Sequence, residues 1–169
     1  LDVAFFLERF IKQKGATLAF PTIAAMGENA ATPHHVTGRT KLKRGFLLVD
    51  FGARWKNYCA DMTRVIFLGK PTRKEEEMYN LLLLSQQTVV NSVKEGIKFK
   101  DLDSISRKIL GKYAKYFTHS LGHGIGVEVH EPPVFSDHSQ NVEKNVPFTI
   151  EPGIYLPGKY GLRIEDTVI

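Results

Sequence analysis

The amino-acid sequence predicts an α+β fold in one domain, and two observations carry that class. The elements run in the order helix, strands, two helices, strands, without the strand–helix alternation of a doubly wound sheet. Each half of the chain also ends in a strand pair that carries two acids in apolar sequence. Asp50 lies in "LLVDFG" and Asp61 in "CADMTR"; Glu151 lies in "FTIEPGIYL" and Glu165 in "LRIEDTVI". The chain has 169 residues, 43% hydrophobic and 24% charged, which is enough to build a substantial core.

The elements follow from local pattern. Residues 1–14 read as a helix with Phe5, Phe6, Phe10 and Ile11 as its apolar stripe, ended by Gly15. Residues 16–26 are apolar and extended but contain Pro21, so they read as an irregular or edge strand. "GENAATPHHVTGRT", residues 27–40, is a polar loop. Residues 46–51 and 58–68 are strand patterns joined by a short "RWKN" turn. Residues 72–94 form a long amphipathic helix with Glu75, Glu76 and Glu77 at the positive end of its dipole and Gly96 as its stop. A second helix is expected over 101–116, with Leu102, Ile105, Ile109 and Leu110 on one face. Residues 119–130 read as a glycine-rich loop running into a strand, and 132–145 as a loop. Residues 146–169 read as strands bent at Pro152–Gly153 and at "PGKYG".

Composition excludes some function classes. No apolar run approaches the roughly 18–20 residues of a membrane span. The net charge of +5 is spread over "KLKR", "RKEEE" and "KFKD" with no aromatic stripe among the lysines, so nucleic-acid binding is not expected. The single cysteine, Cys59, cannot form an internal disulfide and suits a reducing cytoplasm. Beside a strand, it reads as a small buried hydrophobe and not as a nucleophile.

The paired acids are the informative feature. An even-length turn between Asp50 and Asp61 sets an odd-numbered residue opposite Asp50, and period-two alternation then puts Asp61 on the same face. Glu151 and Glu165 are centred on Gly158, so an odd-length loop sets them opposite each other. The plainer alternative is that one acid of each pair faces solvent. Acids buried in apolar strands either take up protons through raised pKa values or bind a cation. "HSLGHGIGVEVHE", residues 119–131, adds imidazoles to the set. Two Asp, two Glu and one His make a hard, oxygen-rich site suited to Mn, Co or Fe, with Zn as an alternative. Five ligands are too many for one open zinc, so two ions sharing carboxylates fit better, and such pairs generate hydroxide at neutral pH.

Taken together, "VDFG…ADMTR…HSLGHGIGVEVHEPP…IEPGIY…RIEDT" resembles the proline-specific metallopeptidases of the pita-bread fold, Xaa-Pro dipeptidase and aminopeptidase P. The resemblance runs from the "GENAATPHH" loop to residue 169. It implies two pseudo-symmetric halves whose curved antiparallel sheet is covered by helices. Residues 1–169 would be one catalytic domain, without the N-terminal domain usual in the family. Two divalent ions per chain are implied, Mn or Co first. Asp50 would hold the first ion, Asp61 and Glu165 would bridge, and His123 and Glu151 would hold the second. Glu151 would also act as general base and then acid. His34 and His130 would contact substrate and the developing oxyanion, and His119 would line the proline side. Tyr155 and Arg163 would orient the acids. His35 would be structural or on the substrate side, and His138 solvated. Partners would be small peptides with proline in second position, and the resemblance leaves room for a homodimer. The dipeptidase reading leads and aminopeptidase P is its alternative. "RIED" argues against methionine aminopeptidase, and the full acid set argues against creatinase and a non-catalytic binding module.

Overall fold

The computed structural model describes residues 1–135 and 140–169; the expectation for His138 lies outside the described residues. Helix α1 (Asp2–Gln13) opens the chain. It buries Ala4 and Ile11, with Val3 and Leu7 against Met26, Leu47 and Val49. The expected stripe is thereby corrected. Phe5, Phe6 and Phe10 are 58%, 60% and 50% exposed. The apolar arc of this helix is wider than the sheet covers: Val3, Leu7 and Ile11, repeating every fourth residue, face inward, Phe6 and Phe10 lie at the edge of the arc, and Phe5 falls on the polar side.

The expected edge strand splits around Pro21 into β1 (Thr17–Leu18) and β2 (Ile23–Met26). The polar loop begins with a 3-10 turn, Gly27–Ala31. Next come β3 (Gly45–Phe51), β4 (Ala53–Trp55), β5 (Tyr58–Cys59) and β6 (Met62–Leu68). The turn between β4 and β5 is Lys56–Asn57, both at positive φ, the geometry of a two-residue hairpin. The strand expected over 58–68 is interrupted at Ala60–Asp61. There the chain crosses Gly52 so closely that a Cβ on Gly52 would lie 2.3 Å from the Ala60 carbonyl oxygen.

Helix α2 (Arg73–Ser92) starts at a capping box. The Thr72 hydroxyl accepts the Glu75 N–H, and the Glu75 carboxylate accepts the Thr72 N–H. Helix α3 (Phe99–Leu110) is shorter than expected, because Gly111 turns to φ +54° and the chain continues as a 3-10 segment, Gly111–Tyr116. Strands β7 (His123–Gly124) and β8 (Glu131–Val134) follow. β8 runs into the expected loop of 132–145. Its two prolines are accommodated because it is the edge of its sheet. Strands β9 (Phe148–Ile150), β10 (Gly153–Leu156), β11 (Tyr160–Arg163) and β12 (Asp166–Val168) end the chain.

All pairings are antiparallel, in the orders β2-β3-β6, β1-β4-β5, β12-β9-β7-β8 and β10-β11. The main core packs α2 and α3, through Met78, Leu82, Val89, Phe99, Leu102 and Leu110, on Phe46, Phe148, Ile150, Ile154 and Leu162 of the sheets. β3 is buried on both faces, Leu47 and Val49 toward α1 and Leu48 toward Ala25 and Ala30. Asp50 therefore interrupts a strand with no solvent-facing side to use. No helix among the described residues is long and apolar enough to cross a membrane.

Candidate metal centre

Strand register brings the acids together. In the β3–β6 ladder Asp50 opposes Thr63 and Phe51 opposes Met62. Asp61, two residues before Thr63, shares the face of Asp50. In the second hairpin Gly153 opposes Arg163, and where the ladder resumes Ile150 opposes Asp166. Continued between them, the same register sets Glu151 opposite Glu165. His123 begins β7, pressed between β8 and β9. Its flanking glycines, Gly122 and Gly124, make no left-handed turn, since neither has positive φ. A Cβ on Gly122 would lie 1.9 Å from the Thr149 carbonyl oxygen, and one on Gly124 2.3 Å from the Pro132 backbone. Glycine is required there because neighbouring backbone comes so close.

The five side chains converge on the wall of one cavity of about 1060 Å³. His123 Nε2 lies 3.4 Å from Glu151 Oε1 and 3.6 Å from Asp61 Oδ2. Donor atoms of Asp61, His123 and Glu165 all lie within 4.8 Å of one another. Asp50 Oδ2 accepts from Arg163 Nη2 at 2.6 Å, and Arg163 Nε is 3.8 Å from Glu151 Oε2. Asp50 Oδ1, Asp61 Oδ1 and Glu165 Oε1 are buried and lack a hydrogen-bond partner among the described residues. The Gly124 carbonyl, 3.0 Å from His123 Nδ1, accepts the Nδ1–H hydrogen bond, which keeps the ring proton on Nδ1 and leaves the Nε2 lone pair toward the acids.

Electrostatics make this a site short of positive charge. Burial, then the Glu165 and Asp50 charges, push Asp61 up to about 8. Burial, then Asp50, push Glu165 up to about 7. Burial and Glu165 push Glu151 well above the usual carboxylate range. Burial raises Asp50 too, against the pull of Arg163. Burial lowers His123 to about 4, so it is a neutral imidazole at pH 7. Orphaned carboxylate oxygens around a neutral imidazole nitrogen fit a hard divalent cation.

The model of metallopeptidase family M24 matches residues 1–169. The chain belongs to metallopeptidase family M24. This M24 chain is 45% identical to the Xaa-Pro dipeptidase of Pyrococcus horikoshii, over 99% of its own length and 49% of the relative. It is similar to the prolidase structure from Pyrococcus furiosus (TM-score 0.96, 42% identity, 99% of this chain and 51% of that one). It is similar as well to an X-Pro aminopeptidase structure from Thermotoga maritima (TM-score 0.94, 42% identity, 99% and 49%). The chain spans about half the length of the relatives it matches. The fold is the pita-bread fold of these neighbours.

The remaining residues singled out in this M24 chain take distinct places. His34, His35, His119 and His130 all line the cavity. The His130 ring sits 4.1 Å from that of His123. His119 has both ring nitrogens engaged. Nδ1 donates to the Ser120 carbonyl at 2.8 Å and Nε2 accepts the Tyr155 hydroxyl at 2.7 Å. Burial lowers its pKa to about 4, in keeping with a neutral ring. Tyr155, pushed up to about 12 by burial, accepts from Arg163 Nη1 at 2.9 Å. Arg163 Nη1 also reaches the carbonyl of Pro33, the residue before His34. Cys59 is half-buried, its thiol raised by burial and 3.5 Å from the Val127 carbonyl.

Sequence reasoning missed two threonines. Thr63 Oγ1 donates to Glu165 Oε2 at 2.6 Å. Thr149 Oγ1 accepts the His123 N–H at 3.1 Å and donates to Glu151 Oε1 at 3.3 Å. The signal was present. Thr63 lies two residues after Asp61 and Thr149 two before Glu151, each on the same strand face as its acid.

Proposed function

We propose that this M24 chain is a catalytic domain, residues 1–169, that hydrolyses the peptide bond preceding proline as an Xaa-Pro dipeptidase. One observation carries the reading: three unpartnered, buried carboxylate oxygens and one imidazole lone pair meet at a cavity wide enough for a small peptide. The names of the relatives supply the substrate class. Asp50, Asp61, His123, Glu151 and Glu165 would hold two divalent ions, Mn or Co first, with Fe or Zn as alternatives. Such a pair supplies Lewis-acid polarisation of the scissile carbonyl and activates water at neutral pH.

The side chains do the rest. Glu151 borders both His123 and Arg163, so it is placed to take a proton from the attacking water and return it to the leaving nitrogen. That return matters because an amide nitrogen leaves only after protonation, and the Xaa-Pro nitrogen, having no N–H, offers the site no hydrogen bond by which to hold it. His130 and His34, on the cavity wall, donate to the carbonyl oxygen as negative charge develops there. Tyr155 and Arg163 hold Asp50 still. The single cysteine suits a reducing cytoplasm.

An aminopeptidase acting on longer Xaa-Pro peptides is the second reading, favoured by a similar structure of that name at equal identity. Turnover of Ala-Pro, Ala-Pro-Ala and Ala-Ala with added Mn or Co decides. The dipeptidase reading expects Ala-Pro to be cleaved fastest. A faster tripeptide selects the aminopeptidase, and preference for Ala-Ala removes proline specificity.

A further inference from the structure

We propose that Thr63 is the positioning residue that sets Glu165 for the cations and ties it to Asp50. This rests on the metal reading above and extends it to an uncharged residue outside the ligand set. Thr63 has 0% exposure and lies opposite Asp50 in the β3–β6 ladder. Its hydroxyl oxygen has two polar neighbours, Arg163 Nε at 3.0 Å and Glu165 Oε2 at 2.6 Å. A guanidinium N–H can only donate, so the threonine oxygen accepts it, and an ionised carboxylate can only accept, so the hydroxyl proton goes to Glu165. Both directions are set whenever Glu165 is ionised.

The backbone repeats the grip. The Thr63 carbonyl accepts the Glu165 N–H at 3.2 Å and Arg64 Nη1 at 3.0 Å. Glu165 is thus held at its backbone and at Oε2 by one residue of the opposite hairpin. Rotation of the carboxylate is blocked, and Oε1, buried without a partner among the described residues, is the oxygen left for a cation. The same Arg163 reaches Asp50 through Nη2. One guanidinium and one hydroxyl therefore fix an acid from each half relative to the other. Packing alone does not call for a hydroxyl here, since valine has nearly the same shape and a stronger strand preference.

The test is Mn titration by calorimetry, with metal content after dialysis, on the wild-type chain and on Thr63→Ser, Thr63→Ala and Thr63→Val. Circular dichroism melts in chelator establish that each variant folds. Removing a group that orients a ligand weakens metal affinity by roughly 10–100-fold. That loss is expected for Thr63→Ala and Thr63→Val, whereas Thr63→Ser, which keeps the hydroxyl, stays near wild type. Wild-type affinity in Thr63→Ala overturns the proposal. So does a Thr63→Ser variant as weak as Thr63→Ala, because the methyl group and not the hydroxyl would then be at work. If Thr63→Val does not fold, the Ser and Ala pair decides alone. A wild-type chain that binds neither Mn nor Co removes the metal reading and this inference together. Tight wild-type binding that Thr63→Ala leaves unchanged removes only the inference.

Discussion

Arg163 shows why one buried cation cannot serve four buried acids. Its donors are divided among Asp50, Thr63, Tyr155 and the Pro33 carbonyl. Asp50 gains a direct bond, Glu151 a weaker approach at 3.8 Å, and Asp61 is left with an unpartnered oxygen. Asp61 is therefore the residue whose charge is least compensated by the protein, and the one most dependent on an added cation. Asp61→Asn should abolish turnover and lower the metal content at both positions. Metal analysis and a dipeptide assay check this, and two ions per chain with near-normal turnover would contradict the ligand assignment. His130 gives the complementary case. It lies beside His123 on the cavity wall but outside the ligand set proposed here. His130→Ala should keep its metal and lose turnover by roughly 10²–10³-fold, the scale of one lost oxyanion donor. Loss of an ion from that variant would make His130 a ligand.

At the scale of elements, the legible parts were those that obey a local period. Alternation placed Asp61 beside Asp50, and symmetry about Gly158 placed Glu151 opposite Glu165; the registers Asp50 with Thr63 and Gly153 with Arg163 agree with both. Contacts between segments distant in sequence were not legible. α1 carries phenylalanines on more than one side, and only the position of β2 and β3 decides which face is covered. β8 reads as loop because of its prolines, and only an edge position in the sheet makes it a strand. The glycines around His123 read as part of a glycine-rich loop, yet they serve close packing of β7 on its neighbours. A prediction belongs to this strand. In Gly122→Ala the new Cβ would meet backbone, which cannot rotate away, so β7 must shift. Overpacking of this kind costs about 1–3 kcal/mol. Chelated protein should unfold at correspondingly lower denaturant. Mn should also bind more weakly, because His123 is the next residue and its N–H is anchored on Thr149. Unchanged stability and affinity would show that the close approach is not required.

The whole molecule acts as a device for gathering charge. Its two hairpins come from the two halves of the chain and are locked together behind the site. Arg64 bonds the carbonyls of Thr63 and Glu165 and pairs with Asp166, which also accepts from Gln86 of α2. Folding therefore forces four carboxylates together, and proton binding must respond. Without metal, folded Asp61 and Glu165 titrate near 8 and 7 against ordinary values of 3.8 and 4.5. Over that window the folded state holds protons that the unfolded chain has released, so these acids make stability fall as pH rises. His119 and His123 work the other way. They are neutral in the fold down to about 4 against an ordinary 6.5, so below 6.5 they make stability rise with pH. The two effects oppose each other up to about 6.5 and only the acids remain above it. The chelated protein should therefore lose melting temperature steadily from about pH 6.5 to about pH 8. A cation replaces those protons, so its affinity rises over the same interval. At 100–1,000 times its dissociation constant it should add about 3–4 kcal/mol. The gap between metal-loaded and chelated melting temperatures should widen with pH across this window. A gap that narrows, or melting that chelator does not change, would mean that the clustered acids are not what the cation binds.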